Sequence, residues 1–124
     1  MKTFKRGQIW LVNFEPSFGH EYQKIRPALI IQHQNYIDSG NLITVIPISS
    51  QTANHGELDI SIKGDSQNRL MKDSLLKIKH ISSFDKRRFI KLIGVVHKET
   101  MENVDKHLQL FIFGKITERW SESG

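Results

Sequence analysis

A polar segment near the start of the chain, residues 13–27, holds three side chains that could do acid–base or phosphate chemistry. They are the imidazole of His20, the carboxylate of Glu21 and the guanidinium of Arg26. A carboxylate or an imidazole can accept a proton, and a planar guanidinium matches two oxygens of a phosphate. These groups suit the cleavage of RNA without a metal ion, because the 2′-hydroxyl of RNA is itself the nucleophile.

A hydroxyl group could donate one more hydrogen bond to the charged phosphorane of such a reaction. Ser49 follows a predicted strand, residues 42–48, and is a candidate for that role. The sequence alone does not bring Ser49 next to Glu21 or Arg26. Loop residues of these three types are far more often structural than catalytic, so both interpretations stay open at this point.

The motifs of other reaction classes are missing from the sequence. Its six histidines include no pair at metal-ligand spacing, and no Asp-x-Asp pair occurs. The eight glycines are scattered rather than gathered in a phosphate-binding loop, and there is no Gly-x-Ser-x-Gly. The lack of cysteine excludes disulfides and thiolate metal sites. We therefore predict a protein that uses no metal ion and no cofactor.

Short β-strands separated by polar turns account for most of the chain. Aromatic and β-branched residues, alternation and turn signals predict six strands, at residues 7–14, 26–33, 42–48, 57–63, 74–81 and 90–96. A turn is predicted at residues 35–41, and a single helical turn at residues 85–88.

One amphipathic helix is predicted at residues 98–113, with Gly114 as its stop. Its apolar residues recur every three or four positions, and we assign them to the core: Met101, Val104, Leu108, Phe111 and Ile112. Six strands and a final helix predict a mainly β (α+β) fold, a small, strongly bent antiparallel sheet or barrel plugged by the helix. The 124 residues fit one domain, residues 1–114, and a tail, residues 115–124, that is expected to be disordered.

The charge of the chain favours an acidic or polyanionic partner. The net charge is +5, and residues 69–91 hold eight Lys and Arg against two Asp. This basic segment is interpreted as a phosphate-binding face, a partner-binding face or an ordinary solvated surface. No apolar segment approaches the ~20 residues that span a bilayer, and the N-terminus does not have the pattern of a signal peptide. These features and the lack of cysteine fit a cytoplasmic protein.

Segments along nearly the whole chain, roughly residues 6–114, resemble the motifs of the MazF/PemK toxin family in their order and spacing. The segments that carry the resemblance are Gly7-Gln8-Ile9-Trp10, Pro16 to Glu21, Arg26 to Ile31, Val45 to Gln51, Asp73-Ser74, His80 to Arg88, Ile93-Gly94 and Met101 to Leu108. Each motif is modest alone, and their order and spacing together make the signal strong.

The resemblance implies a compact SH3-like antiparallel β-barrel with a C-terminal helix, usually a homodimer. It also implies a toxin of a type II toxin–antitoxin system, acting as a sequence-selective, metal-independent endoribonuclease. Such an enzyme cleaves single-stranded RNA and leaves 2′,3′-cyclic phosphate and 5′-hydroxyl ends. An acidic antitoxin protein would neutralise it, which fits the net charge of +5.

The functional residues of the family fall on positions already noted for their chemistry. Its key arginine matches Arg26, its key threonine matches Ser49, and the glutamate of its first loop matches Glu21. By this resemblance Arg26 stabilises the phosphorane, and Glu21 accepts the proton or orients Arg26. The RNA-binding candidates are the other residues of that loop and the two residues after Ser49, namely His20, Tyr22, Gln23, Lys24, Ser50 and Gln51.

Two departures from the family pattern keep alternatives open. Ser49 stands in place of threonine, so the hydroxyl is kept but the methyl group that stiffens the rotamer is lost. His20 replaces a small residue, and its imidazole could share in proton transfer, stack on a base or simply be exposed. A weakened barrel that binds RNA or antitoxin without cleavage is the second hypothesis. A gyrase-directed toxin like CcdB is the third, and the presence of Arg26, Glu21 and a hydroxyl argues against it.

Overall fold

The computed structural model describes residues 2–15 and 25–116 of the chain. Seven strands and two helices make up this part: β1 (Gln8–Asn13), β2 (Ile25–Ile30), α1 (Gln34–Asp38), β3 (Leu42–Ser49), β4 (Ile60–Ile62), β5 (Ser74–Leu76), β6 (Ser82–Asp85), β7 (Phe89–Val95) and α2 (Lys98–Phe113). Short 3-10 turns at Ile78–His80 and Lys86–Arg88 flank β6. All but the first two residues of the predicted tail, 115–124, lie outside the described residues.

Every strand pair in the described part is antiparallel. Neighbouring strands run in the order β4, β5, β3, β2, β1, β7, and β6 also pairs with β3. The predicted mainly β fold with a C-terminal helix is therefore confirmed. Among the described strands, β4 and β7 are the two ends of this path and no ladder joins them. The sheet is thus open, and the word barrel describes its curvature rather than a closed ring.

The sheet is a central layer with a hydrophobic core on each side. Ile9 and Trp10 are adjacent on β1 but belong to different cores. This follows from strand geometry, because successive side chains point to opposite faces. Helix α2 covers one face through Met101 and Val104. The other core contains Phe4 of the N-terminal segment, Ile37 of α1 and the strand residues Trp10 and Phe89.

The strand predicted at residues 74–81 is confined to β5 in the structure, and β6 was not predicted. β5 pairs with the end of β3, and β6 pairs with its start, so the two together follow one edge of β3. The 3-10 turn Ile78–His80 separates them, and Ile78 is fully buried there in the core beneath α2. Packing of this one side chain ends the predicted strand early, and β6 makes seven described strands in place of the six predicted. The helical turn predicted at residues 85–88 is confirmed by the 3-10 turn Lys86–Arg88.

The strand predicted at residues 26–33 ends early, at Ile30 of β2. Two other predicted boundaries were wrong for local reasons. The strand predicted at residues 57–63 is confined to β4, since the Asp59 side chain accepts a hydrogen bond from the Gly56 N–H at 2.7 Å and closes a turn. The turn predicted at residues 35–41 contains α1, a helix of five residues that is too short to show a helical period. Its N-cap is His33, whose ring accepts a hydrogen bond from Asn35 N.

Helix α2 has the predicted bounds, and Gly114 ends it in the left-handed conformation with φ 75°. Met101 and Val104 are buried as predicted, and Leu108 packs partly against the same core. The assignment of Phe111 and Ile112 to the core was wrong, because they are 38% and 59% exposed. The last turn of α2 contributes to neither core. Within the described residues, no helix is both long and apolar enough to cross a membrane.

Candidate active site

A groove of about 640 Å³ opens beside the adjoining ends of β2 and β3. Strands β1, β2, β3 and β7 supply mainly apolar residues to it, and the segment before β5 supplies basic and apolar ones. The described residues that line it are Leu11, Ile25, Arg26, Pro27, Ile48, Ser49, Ser50, Gln51, Arg69, Leu70, Met71, Lys72, Ser74 and Ile93. Four of the residues predicted from the sequence, Arg26, Ser49, Ser50 and Gln51, therefore share one concave surface.

Arg26 reaches the groove from β2, where it pairs with Val12 of β1. Its side chain is half-buried, and the Nε and Nη1 atoms of the guanidinium are shielded from solvent. This burial lowers the pKa of Arg26 from its ordinary value. Because that ordinary value is so high, the guanidinium keeps its charge at neutral pH. A cation held partly out of water interacts more strongly with a phosphate than an exposed one does.

Ser49 ends β3, the strand next to β2. The two strands pair antiparallel, with Ala28 opposite Pro47. The ladder ends there, and two residues further along β3 Ser49 pairs with Leu75 of β5. Arg26 lies two residues before Ala28 on β2, so it stands at the same end of the ladder as Ser49. The antiparallel pairing of β2 and β3 thus explains why two residues 23 positions apart in the sequence line the same groove.

The segment after β3 is turned by the Ser49 side chain itself. The Ser49 hydroxyl oxygen accepts a hydrogen bond from the backbone N–H of Gln51 at 3.2 Å. This bond leaves the hydroxyl hydrogen available as a donor. Ser50 and Gln51 are both exposed beside it. The hydroxyl and two polar side chains are therefore presented together at the end of one strand.

The other predicted site residues belong to the loop between β1 and β2. Glu21, the proposed proton acceptor, and the RNA-binding candidates His20, Tyr22, Gln23 and Lys24 lie outside the described residues. Their roles stay predictions. The loop follows β1, and Phe14 and Glu15 are its first residues and are described. It leads to Ile25, the first residue of the neighbouring strand β2.

Two basic residues of the groove, Arg69 and Lys72, were not predicted as site residues. Both belong to the basic segment at residues 69–91 that was noted for its charge. The charge of this segment did not indicate which of its eight Lys and Arg residues would line the groove with Arg26. The structure brings these two to the groove and leaves Arg87, for example, in a different concavity with Asp85.

The electrostatic character of the groove follows from its lining. Arg26, Arg69 and Lys72 are cationic, and no carboxylate is among the described residues that line it. Three cations around one concave surface favour an anionic ligand. Within residues 2–15 and 25–116, no cluster of three or more His, Cys, Asp or Glu side chains could hold a metal ion.

Comparison with known proteins agrees with this geometry. Residues 5–112 match the family model described as PemK-like, MazF-like toxin of type II toxin–antitoxin system. The chain is 29% identical over 111 residues to endoribonuclease EndoA of Bacillus subtilis, covering 86% of this chain and 91% of that protein.

Solved structures show the same fold. The crystal structure of MazF from Deinococcus radiodurans superposes with a TM-score of 0.76 at 20% identity, covering 91% of this chain and 99% of that one. A mycobacterial endoribonuclease in complex with its cognate antitoxin gives a TM-score of 0.71 at 16% identity, with 90% and 96% covered. Since the family model spans most of the chain, the protein belongs to the PemK-like, MazF-like toxin family of type II toxin–antitoxin systems.

Proposed function

We propose that this protein is a ribonuclease toxin that cleaves single-stranded RNA in the groove between β2, β3 and the segment before β5. The observation that carries the proposal is that Arg26 and Ser49 line one cationic groove, at the adjoining ends of β2 and β3. The names of relatives add support, because EndoA, which aligns over 91% of its length, is called an endoribonuclease.

The proposed mechanism uses the 2′-hydroxyl of the substrate as the nucleophile. Glu21 accepts its proton or orients Arg26, and Arg26 stabilises the doubly charged phosphorane with its planar fork. Ser49 donates its hydroxyl hydrogen to a phosphorane oxygen, and the bond from Gln51 N holds the Ser49 oxygen in place. A protonated donor, for which Arg26 is a candidate, gives a proton to the leaving 5′-oxygen of the RNA. The products are a 2′,3′-cyclic phosphate and a 5′-hydroxyl.

The remaining loop residues are proposed to hold unpaired bases of the RNA. Tyr22 offers a face for stacking, and His20 either stacks or shares in proton transfer. Gln23, Lys24 and the exposed Ser50 and Gln51 are assigned to hydrogen bonds with bases or phosphates. Sequence selectivity then depends on the shape that this loop takes around the bases.

The partners proposed for this chain follow from its charge and its family. A net charge of +5 complements an acidic antitoxin. A related structure contains an endoribonuclease with its cognate antitoxin. We also infer a homodimer and a cytoplasmic location, which were expected from the resemblance and from the lack of cysteine.

A ribonuclease assay in EDTA tests the proposal. The parent protein, Arg26→Ala and Arg87→Ala are each incubated with a mixed cellular RNA. Arg87 is the matched control, because it is 90% exposed and does not line the groove. Cleavage by the parent and by Arg87→Ala but not by Arg26→Ala, with cyclic-phosphate ends, is expected. If the RNA stayed intact with the parent protein in every buffer, the ribonuclease function would be rejected. A protein that binds RNA or antitoxin without cutting would then be favoured.

A further inference from the structure

The segment before β5, residues 63–73, is held in shape by the side chain of Asn68, which is 1% exposed. Its Oδ1 accepts hydrogen bonds from the backbone N–H groups of Asp65 and Leu70, each at 3.0 Å. Its Nδ2 donates to the carbonyl oxygen of Lys63 at 2.9 Å. A buried amide that satisfies three backbone groups fixes the path of the chain on both sides of itself.

Two glycines allow this segment to lie against its neighbours. A Cβ atom on Gly94 of β7 would stand 2.3 Å from the Asn68 carbonyl oxygen. A Cβ atom on Gly64 would stand 2.3 Å from the Leu70 carbonyl oxygen. The N–H of Val95 donates to the Gln67 carbonyl oxygen at 3.1 Å and ties the segment to β7. The segment is thus a rigid attachment to the sheet rather than a free loop.

Arg69 follows Asn68 in a backbone conformation that side chains seldom adopt, with φ 58°. In the described part it is the one residue other than glycine with a positive φ. Its N–H donates to the Asp65 carbonyl oxygen at 2.9 Å, which holds that conformation. A glycine would adopt this conformation with less strain, so an arginine here costs the fold some stability that a glycine would not.

Beyond Asn68 the chain forms one wall of the groove, residues 69–72, which we call the basic wall. Arg69, Met71 and Lys72 are exposed on it, and Met71 is 97% exposed. Within the described part of the chain, no ion pair engages Arg69 or Lys72. An exposed thioether between two uncompensated cations offers an apolar surface flanked by phosphate-binding groups.

We infer that the basic wall is a second RNA-binding subsite, which holds a phosphate next to the scissile one with Arg69 and Lys72 and places the intervening base against Met71. This inference rests on the proposed ribonuclease function, and it assigns binding rather than chemistry to these residues. Arg26, which lines the same groove, is assigned to the reacting phosphate. A groove of about 640 Å³ falls within the roughly 300–1,000 Å³ of pockets that hold drug-sized ligands.

The test measures binding of RNA that cannot be cut. A random-sequence 12-mer of 2′-O-methyl RNA lacks the nucleophile, and fluorescence anisotropy gives its Kd between 50 and 300 mM KCl. Arg69→Gln and Lys72→Gln are each expected to raise Kd several-fold at low salt. Each should also make the slope of log Kd against log salt shallower. The double variant, which loses the whole contact, should lower the slope by about 0.7, the value for one phosphate contact on a single strand.

Controls separate this role from a general effect of charge or folding. Lys106→Gln on α2 removes the same charge outside the groove and should keep the parent slope. Arg69→Lys should keep the slope because the charge remains. Arg69→Gly relieves the positive φ, so it should be at least as stable to heat as the parent and still lose affinity.

The kinetic readout distinguishes the basic wall from the reacting centre. With unmodified RNA, Arg69→Gln should raise KM and leave kcat nearly unchanged, because the contact is equal in the ground and transition states. If Arg69→Gln and Lys72→Gln both kept the Kd and the salt slope of the parent, the inference would be overturned. The proposed cleavage activity would not be affected by that result. If Arg69→Gln weakened RNA binding as expected but the parent cut no RNA, the subsite would be supported and the ribonuclease function rejected.

Discussion

Gly94 on β7 and Asn68 before β5 approach so closely that a Cβ atom on Gly94 would stand 2.3 Å from the Asn68 carbonyl oxygen and 2.6 Å from that of Gln67. Both obstacles are backbone atoms, which cannot rotate away as a flexible side chain can. We therefore expect Gly94→Ala to lower the free energy of unfolding by about 1–3 kcal/mol, the usual cost of forcing atoms into a packed site. Urea denaturation measures this loss.

Gly40→Ala is the control for this prediction. A Cβ atom on Gly40 would meet the Tyr36 carbonyl oxygen at 4.0 Å, which is ordinary contact. Its unfolding free energy should stay within about 0.5 kcal/mol of the parent, as for most surface substitutions. Equal stability of the two alanine variants would contradict the close approach at Gly94.

The buried carboxylate of Asp59 should make stability depend on acid. Burial by itself raises its pKa, but the hydrogen bonds from Lys77 and the Gly56 N–H and the charges of Lys77 and His55 outweigh burial. The pKa in the folded protein is therefore lowered. A depressed carboxyl pKa stabilises the fold above the unfolded value of about 3.9, and this stability is lost as pH falls through the lower folded value.

Denaturation as a function of pH checks the role of Asp59. Between about pH 5 and pH 3 the parent should lose unfolding free energy more steeply than Asp59→Asn, which has no carboxyl to titrate. At pH 7 Asp59→Asn should be less stable by about 1–3 kcal/mol, because Lys77 Nζ loses a charged acceptor at 2.7 Å. Glu57→Gln, at a carboxylate that is 83% exposed, should keep the acid dependence of the parent.

Local pattern was enough to predict the elements with a strong period or a clear stop. Helix α2 has the predicted bounds, since its apolar residues recur at helical spacing and Gly114 supplies the left-handed cap. The pattern could not tell that Phe111 lies beyond the surface that the helix covers. Nor could it end the strand predicted at residues 74–81 after Leu76, because Ile78 leaves the ladder only to fill a core built by distant strands.

The candidate site divides in the same way. Arg26 and Ser49 were matched to each other by resemblance, and the antiparallel pairing of β2 and β3 brings both to one end of the ladder. Arg69 and Lys72 were not predicted, because their position depends on the contact between Asn68 and Gly94. That contact joins residues 26 positions apart in the sequence, and no local period encodes it.

Arg26→Lys tests whether the planar fork matters beyond its charge. Lysine keeps the cation but offers a single point of donation, so two phosphate oxygens are no longer matched. We expect kcat to fall on the order of 10²-fold, as for loss of one preorganised donor, with a smaller change in Kd for 2′-O-methyl RNA. Arg87→Lys at the exposed position should cleave like the parent. An unchanged kcat in Arg26→Lys would assign Arg26 to binding alone.

Ser49 allows the hydroxyl and the missing methyl group to be tested separately. Ser49→Ala removes the acceptor of the Gln51 N–H bond and the proposed donor to the phosphorane, so kcat should fall on the order of 10²-fold. Ser49→Thr keeps the hydroxyl and adds a methyl group that restricts χ1, so kcat should equal or exceed that of the parent. Single-turnover cleavage of one RNA gives the three rates directly. If Ser49→Ala cut as fast as Ser49→Thr, the hydroxyl would have no part in the reaction, and the groove would depend on Arg26 and the loop between β1 and β2.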